Sequence, residues 1–272
     1  MIKRIIPSSG EALPLIGLGT WQTFDTDSSC YPDLKTVLET MYAEGGRLID
    51  SSPMYGRSEK VIGDISIGME NAGDFFYATK VWTTGLQEGI DQLESSMQKM
   101  RRDTMDLVQV HNLVDWKTHL PQLRRWKESG KIRYIGLTHY TDAYHDELIK
   151  LMRSEKPDFV QFNYSIFSRN AETKLLPAAA DLGIATLINR PFGEGKFFSK
   201  VKGRSLPAWA VELGIESWAA FFLKYIIADP AVTCVIPATA DPSHAVDNFK
   251  AGAGNLPDSH TRKQMVEFIS GL

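Results

Sequence analysis

The chain has 272 residues, 43% of them hydrophobic and 23% charged, and a formal charge of −3. This is the composition of an ordinary globular protein long enough to bury a large core, and a charge so close to neutral excludes a field for nucleic acid or an anionic membrane surface. Cys30 and Cys234 lack CxxC spacing, and no HExxH or clustered Cys/His pattern occurs, so neither a disulfide framework nor a metal site is expected; both are read as structural thiols in a reducing compartment.

In chain order, residues 1–6 carry two basic side chains, but Pro7 to Glu11 interrupt before any apolar run of signal-peptide length. Residues 2–6 fit a strand that turns at Ser9-Gly10 and pairs with a second strand around 13–15, a hairpin suited to plugging the end of a barrel. Short apolar runs that read as buried parallel strands follow at 15–21, 47–50, 75–80, 106–111, 134–138, 159–163, 185–189 and 233–236. Segments with helical spacing alternate with them, at 34–44, 58–67, 89–100, 120–128, 142–153, 171–181, 217–228 and 242–250. Gly45-Gly46, Gly130, Pro157, Gly183 and Pro230 mark helix ends. The richest apolar stretch, 218–228, contains Lys224 and is far shorter than a membrane span of about 20 residues. The expected location is the cytoplasm, with no membrane contact.

Eight strand–helix alternations predict a closed (β/α)8 TIM barrel with an N-terminal β-hairpin, in a single domain over 1–272. The competing fold is a doubly wound open sheet. It calls for a Gly-rich phosphate loop after the first strand, where the chain has Gln22-Thr23-Phe24-Asp25.

An active site in a barrel forms at the carboxyl ends of its strands. The polar residues there are Asp50, Lys80, His111, Thr138, His139, Gln161, Asn163, Asn189, Arg190 and Thr239. Residues 46–59, GRLIDSSPMYGRSE, add a phenol, Tyr55, on a turn, with Ser58-Glu59 where a helix begins. Each of these has an ordinary structural reading alone: Lys80 as a solvated rim residue, His111 as a hydrogen-bonded core histidine, Asp50 as a cap, Tyr55 as packing. His119, His145 and His260 lack such a context and are expected at the surface.

GLGTW (17–21), LIDSSPMYGRSE (48–59), ATK (78–80), MDLVQVH (105–111) and VIP (235–237) occur in the order and spacing of the aldo-keto reductases, and the chain resembles that family from about residue 13 to 255. The resemblance implies a catalytic tetrad of Asp50, Tyr55, Lys80 and His111, reducing aldehydes or ketones to alcohols by hydride transfer. Its chemistry is physically coherent. Hydride transfer to a carbonyl puts negative charge on oxygen, so the site needs a proton donor aimed there. An ammonium about 4 Å from a phenol, at an effective dielectric of about 20, is worth roughly 4 kcal/mol before desolvation, enough to draw Tyr55 toward a useful range. Asp50 then compensates Lys80, and His111 orients the carbonyl or relays the proton.

No side chain delivers hydride, so a nicotinamide cofactor is implied, NADP(H) by family habit with NAD(H) possible. Carried over from the family, its contacts are Thr20, Trp21, Asp50, Thr138, His139, Gln161, Asn189, Arg190, Pro191, Phe192, Thr239, His244 and Asn248. His139 stands where relatives usually have Asn, and Arg190 where many have a stacking aromatic. The Lys and Arg that grip a 2′-phosphate in NADPH-selective relatives are absent after the last strand. Thr239 and the amides at the start of the following helix could take a phosphate instead, with Asp247 and Asn248 toward the adenine and Lys196, Lys200 and Arg204 closing over. Trp21, Trp82 and Trp116 are expected to wall the substrate pocket for a small-molecule carbonyl compound, while Trp126, Trp209 and Trp218 pack the core. No obligate protein partner is evident. Two readings compete with a reductase: a nicotinamide-binding redox sensor or accessory subunit with little turnover, and a Schiff-base enzyme using Lys80.

Overall fold

The computed structural model describes all of residues 1–272. Two short antiparallel strands, β1 (Lys3–Ile5) and β2 (Ala12–Pro14), form the expected hairpin. The eight barrel strands then run in sequence order: β3 (Leu18–Gly19), β4 (Leu48–Asp50), β5 (Phe76–Val81), β6 (Met105–His111), β7 (Ile132–Thr138), β8 (Phe159–Asn163), β9 (Ala185–Asn189) and β10 (Cys234–Val235). Each pairs in parallel with its predecessor. All six residues of β5 are buried, as expected for parallel strands covered on both faces.

The seam between β3 and β10 is the thinnest part of the wall. It closes through single parallel bridges, Ile16 to Val235 and Gly19 to Ala238, which is why the first and last strands are shorter than the apolar runs at 15–21 and 233–236. A side chain at Gly19 would place its Cβ 2.8 Å from the Ile236 carbonyl oxygen, so the closure itself requires glycine.

Helices α1 (Tyr31–Ala43), α2 (Ser58–Ser66), α3 (Leu86–Lys99), α4 (Trp116–Glu128), α5 (His145–Glu155) and α6 (Leu175–Leu182) alternate with the strands. After β9 come two short helices, α7 (Lys196–Lys200) and α8 (Ala208–Glu212), before α9 (Trp218–Ile227) and, after β10, α10 (Pro242–Lys250). A final helix, α11 (Ser259–Ser270), was not expected from the apolar spacing. Its signal is the Asp258 cap, whose carboxylate accepts from Thr261 N. Arg262 on α11 then bonds to Glu172 at 2.8 Å and to the Tyr164 hydroxyl at 2.5 Å.

Two cores result. One lies between barrel and helices; the other fills the amino end of the barrel with Leu48, Phe76, Leu107, Tyr134, Phe159 and Leu187, closed by Ile6 and Leu13 of the hairpin segment. No helix is long and apolar enough to cross a membrane.

Candidate active site

The parallel register sets the carboxyl ends of neighbouring strands side by side. Lys80 pairs with Gln109, His111 with Thr138, and Thr138 with Gln161. Because side chains alternate along a strand, Gln109 and His111 face the same way as Leu107, into the barrel.

Lys80 is fully buried at this end. Its Nζ donates to Asp50 Oδ2 at 2.6 Å and to the Ser51 carbonyl at 2.8 Å. The other carboxylate oxygen, Asp50 Oδ1, accepts from Gln109 Nε2 at 3.0 Å and Gln161 Nε2 at 3.1 Å. Thr138 Oγ1 donates to Gln161 Oε1 at 3.1 Å, completing the chain of bonds. A buried ion pair needs its remaining hydrogen-bonding capacity met; both Asp50 oxygens are bonded, while Gln109 Oε1 is buried without a partner. Burial works against the Lys80 ammonium, but Asp50 and Tyr55 outweigh it and hold its pKa above the ordinary lysine value.

Lys80 Nζ stands 4.9 Å from the centroid of the Tyr55 ring. The expectation that the ammonium draws the phenol downward is corrected in its net result. Desolvation pushes the Tyr55 phenol up by more than Lys80 pulls it down, with Asp50 adding to the rise. Tyr55 is therefore a protonated phenol at neutral pH.

His111 packs edge-on against Tyr55, ring centroids 5.8 Å apart, and near Trp82 at 6.3 Å. Burial and then the Lys80 charge, with a smaller contribution from His139, push its imidazole down to about 2, so it is neutral. Its Nδ1 lies 3.0 Å from Ser52 Oγ, which itself accepts from Met54 N at 3.2 Å. A hydroxyl that accepts there still has its hydrogen to give, and donation to Nδ1 would put the ring hydrogen on Nε2.

A cavity of about 710 Å³ opens over this group. Its lining includes Thr20, Trp21, Asp50, Tyr55, Trp82, His111, Thr138, Gln161, Asn189, Arg190, Pro191 and Phe192, all singled out from the sequence, together with Met54, Asn112, Tyr140 and Glu194. Asn189 Oδ1 is buried without a hydrogen-bond partner, an acceptor free for an amide N–H.

Other sequence-derived candidates lie elsewhere or are already engaged. Trp116 does not line the cavity; it is the first residue of α4, partly buried against the outer core. His139 is buried but outside the lining, its ring stacked on Tyr144 at 3.6 Å. Arg190 is already paired, with Glu194 at 2.7 Å, and lies over the Tyr140 ring at 5.4 Å. Lys196 pairs with the same Glu194.

Thr239, His244 and Asn248 also lie outside the lining. Thr239 Oγ1 accepts from Asp241 N at 3.0 Å, and Asp241 caps α10, its Oδ1 accepting from Ser243 N at 2.7 Å and His244 N at 3.4 Å. The helix-start amides expected to be open to a phosphate are thus held by a carboxylate. Asp247 likewise accepts from Ser217 Oγ at 2.8 Å rather than standing free.

His119 and His145 are buried, contrary to expectation, while His260 is exposed. His119 Nε2 donates to the Thr83 carbonyl at 2.8 Å, and His145 Nε2 bonds to Asn163 Oδ1 at 3.1 Å. Cys30 is exposed and Cys234 buried, so only the latter is a structural thiol.

Two participants were missed. Gln109 fixes Asp50 from β6, and its signal was a polar residue two positions before His111 on the inward face of an otherwise apolar strand. Ser52 sat inside the motif but is chosen by its contact with His111, which links residues far apart in sequence.

Comparison with known proteins places this geometry in a family. Among curated proteins the chain is 30% identical to the aldo-keto reductase YhdN of Bacillus subtilis over 67% of its own length and 60% of that protein's. It is 26% identical to the methylglyoxal reductase YeaE of Escherichia coli over 91% of its length and 89% of the other's. A crystal structure of an aldo-keto reductase from Klebsiella pneumoniae in complex with NADPH superposes with a TM-score of 0.83, covering 99% of this chain and 96% of that one at 23% identity, a likeness of fold. The family profile described as "Aldo/keto reductase family" matches residues 15–264, nearly the whole barrel, and the chain belongs to that oxidoreductase family.

Proposed function

We propose that the protein reduces aldehydes or ketones to alcohols by hydride transfer from a nicotinamide cofactor, with Tyr55 as the general acid. The observation that carries this reading is the buried Lys80, held between the Asp50 carboxylate and the Tyr55 ring, both of which line the cavity. A neutral, protonated phenol beside a fixed ammonium is the state a proton donor needs, and the ammonium stabilises the phenolate left behind. Asp50 keeps Lys80 charged and in place. His111, neutral and carrying its hydrogen on Nε2, orients the carbonyl oxygen toward the phenol.

When bound, the cofactor supplies the hydride. Asn189, with its unpartnered acceptor, and Thr138 fit the carboxamide of a nicotinamide, while Thr20, Trp21 and 190–192 line the remaining approach. Gln161 makes one bond at each end of its amide, holding Asp50, and keeps one N–H and one lone pair toward the cavity. NADP(H) is the first choice, supported by the NADPH complex of the Klebsiella relative. NAD(H) is a second, favoured by Asp241, whose carboxylate already occupies the helix-start amides that a phosphate would otherwise take.

Trp21, Met54 and Trp82 give the substrate side an apolar, aromatic wall. Small carbonyl compounds suit it, and the methylglyoxal reductase relative makes methylglyoxal a sensible first substrate. The test is to follow reduced-nicotinamide absorbance with NADPH and NADH against a panel of aldehydes including methylglyoxal, beside Tyr55→Phe. Turnover that falls by about 10²–10⁴ in the variant is expected. Cofactor binding without turnover on any carbonyl would favour the sensor reading instead, and binding of neither cofactor would defeat the proposal.

A further inference from the structure

We propose that Glu59 is a positioning residue for the site, its carboxylate fixing the turn that carries Tyr55 against the strand that carries Lys80. This rests on the reductase reading above. The chain leaves Tyr55 and enters α2 three residues later. Ser58 secures that junction: its amide and Oγ both donate to the Tyr55 carbonyl, at 3.1 and 2.8 Å. The next residue, Glu59, is 1% exposed and lies between α2, β5 and α3. Its Oε1 accepts from Thr79 Oγ1 at 2.5 Å, and its Oε2 lies 3.1 Å from Ser96 Oγ, whose single hydrogen it shares with the Gln92 carbonyl at 3.0 Å.

Thr79 is the immediate neighbour of Lys80. In a strand successive side chains point to opposite faces, so Thr79 meets the helices while Lys80 enters the barrel. The carboxylate therefore grips the wall directly behind the ammonium. One turn along α2, on the same face, Gly63 seats the helix on α3: a Cβ there would lie 2.0 Å from the Lys99 carbonyl oxygen. Glu59 thus ties α2 to β5 and α3, and Gly63 lets α2 sit close on α3.

Glu59 forms no ion pair, and the charges of Lys99 and Lys80 reach it only from a distance. Burial pushes its carboxyl up accordingly. A buried carboxylate held by two hydroxyls alone costs folding free energy. Glutamine would avoid the charge but could not accept from both hydroxyls, since one of its two terminal groups is a donor. What the carboxylate adds is a rigid fork, one oxygen accepting from Thr79 on β5 and the other from Ser96 on α3. Placement errors of about 1 Å between reacting groups can lower a rate about 100-fold, so a tie that sets Tyr55 relative to Lys80 acts on the chemical step.

The test uses the full chain with Glu59→Gln and Thr79→Val, beside wild type and Tyr55→Phe. Glu59→Gln should lower kcat for carbonyl reduction about tenfold, with the carbonyl KM and the cofactor Kd from fluorescence titration within about twofold and Tm at pH 7 lowered by no more than a few degrees. Thr79→Val, which removes the same bond from the strand side, should lower kcat in the same direction by less. Unchanged kcat in both variants, or a fall in Tm alone, would overturn the inference. If Glu59→Gln does not fold, Thr79→Val decides by the same criterion. A wild type without turnover, or a Tyr55→Phe variant as active as wild type, would overturn the reductase reading and this inference with it, an outcome distinct from failure of the Glu59 variants alone.

Discussion

At the amino end of the barrel, Phe76, Tyr134 and Phe159 pack ring on ring, with centroids 5.8 Å apart for the first pair and 5.5 Å for the second. A few residues along the same strands, at the carboxyl end, stand Lys80 and Gln161, hydrogen-bonded to Asp50, and Thr138, hydrogen-bonded to Gln161. Both sets face inward, because inward positions recur every second residue. The strands therefore carry two stacked layers of opposite chemistry, an apolar plug below and a charged, hydrogen-bonded layer above. Burial of large aromatics below supplies stability; burial of ions above spends some of it to hold charge where a reaction can use it. The hairpin closes the lower layer against water, and the upper layer stays open to the cavity.

Substitutions in the two layers should therefore separate activity from stability. Lys80→Met is expected to have the largest effect. It leaves Asp50 buried without its cation and Tyr55 without the ammonium, so carbonyl reduction should fall at least about 10³-fold. Chemical denaturation should show a loss of about 3–5 kcal/mol. Phe159→Ala, in the plug, should cost a similar 3–5 kcal/mol while the fraction that stays folded at low temperature keeps kcat within a few fold. A collapse of kcat in that variant would mean that the layers are mechanically coupled.

The upper layer also predicts an acid-side loss of stability. His111 titrates near its ordinary value of 6.5 when unfolded but at about 2 when folded. Between those values the unfolded chain binds a proton that the folded chain does not, so this contribution is complete above pH 6.5 and declines by about 1.4 kcal/mol per unit as pH falls. Between pH 7 and pH 4, urea denaturation should show wild type losing more stability than His111→Gln, which has no imidazole to titrate, and parallel curves would contradict it. Raised carboxyls such as Glu59 and Asp106 work in the opposite direction but are common to both proteins.

The smallest effect is expected at the rim. Asp241 is kept ionised by the bonds from Ser243. Asp241→Ser retains a capping oxygen while removing the charge. The Kd ratio of NADPH to NADH, measured by fluorescence titration, should then shift about two- to fivefold toward NADPH. No shift would place the 2′-phosphate away from α10.

Much of the site was legible because its residues sit at the ends of apolar runs, and position along a parallel strand converts directly into height in the barrel. That is how Asp50, Lys80, His111, Thr138 and Gln161 could be named together. Residues reached from loops were less reliable. Trp116 follows β6 closely, yet α4 begins with it and turns it outward; Trp21 and Trp82, with the same kind of context, do line the cavity. His119 and His145 had no motif, and their burial follows from packing against Gly89 and Asn163, which spacing does not reveal.

By itself the sequence determined the order of strands and helices, the closure into a barrel and the inward residues at each strand end, because these depend on local periodicity and on the hand of parallel connections. Only the tertiary structure decided what those residues do to one another. Which oxygen of Asp50 meets Lys80, that Gln109 and Gln161 complete its shell, that burial leaves Tyr55 protonated, and that Asp241 occupies the amides of α10 all depend on distances and desolvation between segments far apart in the chain. Those quantities exist only once the chain has packed.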